Sequence, residues 1–155
     1  MGVDINRFIY SSDNLRNMDE NGDDKNVWYF VAPSKFNGWW GLAYKGYLDF
    51  HMTSFTGDFS SQDLFNKNGD LNMVEIECIT CNYRRGIIIG FPLSSTAGFS
   101  GSTSSFSIEL HERAGWLRKP KNPLHPWSQV TRCEIIEVLS SISSLKILGD
   151  FTRWY

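Results

Sequence analysis

The chain has 155 residues, enough for one domain with its own core, and its 41% apolar and 21% charged content is typical of a globular protein. The net charge of −2 argues against the basic face that nucleic-acid-binding domains usually carry. The sequence has no apolar run of the ~18–20 residues that span a membrane. It also opens without the apolar core of a signal peptide, so we expect either an intracellular protein or a domain of a longer chain.

Residues 1–26 are predicted to complete the domain with one short strand and an acidic loop. Val3, Ile5 and Ile9 supply apolar positions for the strand. The loop follows from Asp13 to Asn26, where polar, turn-forming residues predominate.

Six later segments have the composition or the alternation of β-strands. In the second of them, Leu48, Phe50 and Met52 share one face, while polar side chains share the other. The fourth is nearly all apolar and predicts a central strand. The six segments cover residues 27–32, 47–55, 73–79, 85–91, 105–111 and 145–154. This pattern predicts an all-β fold, an antiparallel β-sandwich or jelly roll.

One short helix is predicted before the last strand. Thr131 and Glu134 have the spacing of a capping box, in which each residue bonds the backbone N–H of the other. Apolar residues then continue at helical spacing to about Ser143. The preceding segment, Arg113 to Val130, contains three prolines and is predicted to be a long loop that is functional or closely packed.

Three segments together resemble a known domain family. Residues 28–38, which read WYFVAPSKFNG, resemble the signature of the laminin IV type A domain, also called laminin B. Residues 42–50 are similar to the strand that follows in that family, and residues 127–152 to its closing helix and strand. The resemblance places a laminin IV type A-like domain at residues 27–155. It implies a jelly roll similar to galactose-binding modules and an extracellular, non-enzymatic structural or adhesive role.

Two binding functions and one catalytic function follow as hypotheses. The first is a structural or adhesive module that binds protein partners. The alternative is a carbohydrate-binding, lectin-like module of the same fold. An enzyme is the third, but the sequence offers only Glu75 and Glu77 on one strand face, and exposed pairs of this kind are common.

Trp39, Trp40 and Tyr44 are the best candidates for a ligand or partner platform. Adjacent residues of a strand point to opposite faces, so we expect one tryptophan to be exposed for stacking on a sugar or anchoring a protein. The alternative places one tryptophan in the core and the other over the sheet edge. Trp116 and Trp127 in the long loop either join this binding surface or pin the loop to the body of the domain.

The acidic loop also offers oxygen ligands suited to Ca²⁺. By analogy with carbohydrate-binding jelly rolls, Asp19 and Asp23 would hold a structural Ca²⁺ together with Asp150 from the last strand. The alternative interpretation is a solvated turn.

The three cysteines are too few for a disulfide scaffold. Cys78 shares a strand face with apolar residues and is predicted to be a buried thiol. Half of a zinc site at Cys78 and Cys81, or a disulfide between Cys81 and Cys133, are the alternatives.

Overall fold

The computed structural model describes residues 28–53, 71–95 and 104–149, together with the backbone of residues 2–3 and 9–10. Within them lie ten strands, the single helical turn α1 (Cys81–Arg84), most of which has left-handed backbone angles, the helix α2 (Arg132–Ser140) and three 3₁₀ turns (Ser34–Phe36, Gly41–Ala43 and Leu93–Ser95). The strands are β1 (Gly2–Val3), β2 (Ile9–Tyr10), β3 (Tyr29–Val31), β4 (Tyr47–Met52), β5 (Asn72–Cys78), β6 (Ile87–Pro92), β7 (Ser104–Glu109), β8 (Leu117–Arg118), β9 (Ser128–Gln129) and β10 (Ser144–Leu148).

The fold is an antiparallel β-sandwich, as the sequence predicted. Six strands form the main sheet in the order β3-β10-β5-β6-β8-β9, while β4 pairs with β7 and β1 with β2. Every pairing of these strands is antiparallel. The core lies where the β4–β7 pair and helix α2 pack on the main sheet, and it includes Ile76, Ile89, Ile108 and Ile135. Apolar burial against the main sheet therefore holds the sheets and the helix together.

The predicted strand faces are confirmed. Along β4, Leu48, Phe50 and Met52 are half-buried, whereas the residues between them are exposed. The apolar fourth segment became β6, which is central and almost wholly buried. The last strand ends at Leu148, and the predicted continuation from residue 150 lies outside the described residues.

Helix α2 begins with the predicted capping box. The Thr131 side chain accepts a hydrogen bond from Glu134 N, and the Glu134 carboxylate accepts one from Thr131 N. The same carboxylate forms an ion pair with the Arg118 guanidinium in β8. Burial pushes the pKa of Glu134 upward, but these hydrogen bonds and the arginine charge outweigh it, so the pKa lies below its ordinary value.

We expect Glu134 to stabilise the domain near neutral pH and to lose this contribution in acid. Because its pKa is lowered by folding, it contributes stability above the unfolded value of about 4.3, and this contribution is lost as the pH falls through the lower folded value. The free energies of unfolding of the wild type and of Glu134→Gln, measured with urea, should therefore differ most near neutral pH and become similar in acid. A difference that stays constant with pH would contradict this linkage.

Within the part of the chain that the structure describes, neither helix has the length and apolar character needed to cross a bilayer.

Candidate functional site

The first candidate site is the stretch Phe36–Leu42, here called the aromatic segment. It joins two 3₁₀ turns and is fastened to the end of helix α2 by its backbone. Gly38 pairs with Ile142 in an isolated antiparallel bridge, and Trp40 N donates to Leu139 O at 2.7 Å. Gly38 has φ of 101°, a conformation that glycine adopts without the Cβ clash of other residues. The backbone of the aromatic segment is therefore held in one place.

Both tryptophans of the aromatic segment are exposed. Trp39 has 63% and Trp40 43% of its surface accessible, and Leu42 reaches 86%. The interpretation that places one tryptophan in the core is wrong, because this segment is not a strand and strand alternation does not apply to it. The Trp39 ring lies against the backbone of Gly41, where a Cβ would come within 3.0 Å of it. The segment thus offers ordered apolar area and indole N–H donors, as binding hot spots do.

Tyr44 lies just beyond this segment, but its side chain is engaged within the domain. Its ring stacks on His111 with centroids 5.7 Å apart, and its hydroxyl donates to Glu112 at 2.5 Å. The guanidinium of Arg132 lies 5.8 Å from the ring centroid. The hydrogen bond raises the pKa of Tyr44 and lowers that of Glu112. Tyr44 therefore connects the end of the aromatic segment to the turn that follows β7.

The two tryptophans of the long loop have different environments. Trp116 has no exposed surface; its indole N–H donates to Glu109 O at 2.8 Å and its ring packs edge-on against Phe91. Trp127 is half-buried before β9. A side chain without exposed surface is out of a partner's reach, so Trp116 pins the loop to the core and is left out of the site.

The prediction of a buried thiol at Cys78 is wrong, because Cys78 and Cys81 form a disulfide. Their Cα atoms are 5.5 Å apart, within the range a disulfide spans. Neither sulfur is then free to ligate zinc, and the alternative pairing of Cys81 with Cys133 is also wrong, since Cys133 is a free, exposed cysteine.

A second exposed feature begins directly after Cys78. It is the stretch Ile79–Arg85, here called the tyrosine loop, which contains the other cysteine of the disulfide. Asn82, Tyr83 and Arg84 follow one another in the left-handed region, with φ of 53°, 55° and 65°. Such conformations cost about 1–3 kcal/mol each and concentrate at functional sites. Tyr83 is 96% exposed. The sequence reasoning missed this loop, although Asn82 before Tyr83 was a usable signal because asparagine tolerates the left-handed region.

The calcium hypothesis rests on residues outside the described ranges, namely Asp19, Asp23 and Asp150. Among the residues that the structure describes, His, Cys, Asp and Glu side chains form no group of three or more that could hold a metal ion.

Comparison with known proteins agrees with this architecture. The L4b domain of human laminin alpha-2 superposes with a TM-score of 0.61 at 22% identity, over 80% of this chain and 61% of that one. This likeness concerns the fold alone, and the chain spans less than two thirds of that laminin chain. No curated protein matches the sequence. The family model for laminin B (domain IV) matches residues 29–153, and the chain therefore belongs to the laminin B (domain IV) family.

Proposed function

We propose that this domain is a non-catalytic structural or adhesive module that binds a protein partner through the aromatic segment. The observation that carries the proposal is the exposure of Trp39, Trp40 and Leu42 on a backbone that is hydrogen-bonded to the end of α2. Large, rigid aromatic side chains provide most of the energy at protein interfaces, and a fixed backbone reduces the entropy lost on binding. Membership of a family built into laminins supports the same role.

We further propose that the domain acts outside the cell. Disulfides persist in oxidising compartments and are rare in the reducing cytosol. The bond between Cys78 and Cys81 therefore supports an extracellular site of action, in keeping with the family. Oxidised and free thiols can be counted by mass spectrometry of alkylated protein from its native source. A fully alkylated Cys78 and Cys81 pair would instead favour the intracellular alternative.

Trp39→Ala is expected to weaken partner binding about tenfold or more, which is about 1.4 kcal/mol, with little loss of stability. The loss follows from removing an exposed anchor that is already ordered in the free domain. The partner would be captured from extracellular material on the immobilised domain, purified, and titrated against wild type and variant. Thermal unfolding of both proteins checks that the fold is intact.

Leu124→Ala is the matched control. Like Trp39, Leu124 is a large exposed apolar side chain, with 89% of its surface accessible, but it lies in the long loop. The proposal expects this variant to bind as the wild type does. If both variants reduced the affinity for the partner equally, or if neither reduced it, the binding surface would lie elsewhere.

A glycan array tests the carbohydrate-binding alternative and the calcium prediction together. The proposed function expects a blank array from folded protein, with and without EDTA. A saturable sugar signal that Trp39→Ala removes would replace the protein partner with a glycan. Loss of that signal or of thermal stability in EDTA would support Ca²⁺ at Asp19, Asp23 and Asp150.

A further inference from the structure

We infer that the partner-binding surface includes the tyrosine loop as well as the aromatic segment, and that the partner presents carboxylates to it. The inference rests on the proposed function and specifies the chemistry of the protein that the module binds. It is carried by the position of the loop, by its fixed backbone and by two arginines that have no side-chain partner among the described residues.

The tyrosine loop and the aromatic segment are fastened to the same stretch of chain, the end of α2 and the residues that follow it. On the loop, Thr80 and Ser141 share a side-chain hydrogen bond of 3.0 Å, and Ile79 N donates to the Ser143 hydroxyl at 2.9 Å. Gly38 of the aromatic segment pairs with Ile142, the residue between these two serines. The two exposed features thus flank one short stretch, close enough for a single interface of ordinary size to cover both.

The loop backbone is held as firmly as that of the aromatic segment. The Cys78–Cys81 disulfide closes its base, and Gly86 N donates to Cys81 O at 3.0 Å. Asn82 N donates to the Glu137 carboxylate in helix α2 at 2.8 Å. These bonds keep Tyr83 exposed in a left-handed conformation that an unconstrained tyrosine rarely adopts. A partner would meet a tyrosine that is already in position.

The charge of the loop indicates what the partner carries. Arg84 and Arg85 are both exposed, and among the described residues neither guanidinium has a hydrogen bond or an ion pair. An arginine fork matches the two oxygens of a carboxylate. Exposed Ile79 and Tyr83 beside the two arginines give an apolar centre with a charged margin, the usual anatomy of a protein interface.

A sulfated polysaccharide fits this surface less well. Such a chain is a row of repeated negative charges, and it is bound best by an extended basic stripe. Here the loop has two arginines and is itself hydrogen-bonded to the Glu137 carboxylate, in a protein of net charge −2. A few carboxylates placed around an apolar contact complement this surface better.

A random-peptide phage library is the probe that tests the inference. Selection on the wild-type domain should enrich peptides that combine Asp or Glu with apolar residues. Selection on the charge-reversed double variant Arg84→Glu/Arg85→Glu should instead enrich Lys and Arg. Peptides from the wild-type selection should lose at least tenfold in affinity for the double variant and for Tyr83→Ala, and should bind Leu124→Ala unchanged.

The possible failures are distinguishable. Peptides that depend on Trp39 but show no preference for acidic residues would overturn the role of the tyrosine loop and leave the proposed function intact. Peptides that are indifferent to Trp39→Ala, or the absence of any binding peptide, would overturn both. Retention on immobilised heparin that the double variant loses would reassign the arginines to a sulfated glycan and also overturn the inference.

Discussion

Replacing Trp116 with alanine is expected to lower the free energy of unfolding by about 3–5 kcal/mol, the range for removing a large buried aromatic side chain. Trp116 is the bulkiest fully buried side chain among the described residues. Its loss leaves a cavity beside Phe91 and strips Glu109 O of its hydrogen-bond donor. The same ring also holds the long loop, so β8 and β9 should become locally less stable.

Urea unfolding of Trp116→Ala and Trp39→Ala measures this difference directly. The exposed Trp39 should change stability by no more than about 0.5 kcal/mol, as surface substitutions usually do. Trp116→Phe keeps much of the volume and should lose less than Trp116→Ala. Equal effects at Trp39 and Trp116 would contradict their assignment to surface and core.

The second large effect is expected at Gly90, where alanine should destabilise the domain by about 1–3 kcal/mol through overpacking. Gly90 lies in the central strand β6 and is buried. A Cβ at this position would overlap the side-chain amide of Asn72, itself a buried residue. The amide would also be displaced from Glu75, to which it donates a hydrogen bond of 3.2 Å.

A double-mutant cycle tests this explanation. Asn72→Ala removes the obstructing amide, so Gly90→Ala should cost much less in that background. Chemical denaturation of the four proteins gives the coupling energy. Additive effects would contradict the overlap with Asn72 as the reason for glycine at position 90.

The strands were largely predictable because burial of one face and burial of both faces each leave a distinct sequence pattern. Where one face of a strand meets the core, the sequence alternates, as with Leu48 and Phe50 in β4. Where both faces are buried, the sequence is a continuous apolar run, as in β6. The start of α2 was predictable from Thr131 and Glu134 because a capping box is a local interaction.

The features that escaped prediction depend on distant parts of the chain. Strands β8 and β9 have two residues each, and they are ordered by pairing, β8 with β6 and β9 with β8. The exposure of Trp39 and Trp40 depends on pairing with residues about a hundred positions later. The left-handed conformation of Tyr83 is a third such feature, since its loop is hydrogen-bonded to Glu137 in α2 and only Asn82 marks it in the sequence.

The order of strands in the main sheet has a consequence for how the protein is made. Strand β10 lies between β3 and β5, although it is synthesised after both. A chain still on the ribosome therefore carries β3 and β5 with their facing edges unpaired until Leu148 has emerged. Unpaired edges attract other chains, so nascent copies on one messenger are exposed to each other during this interval.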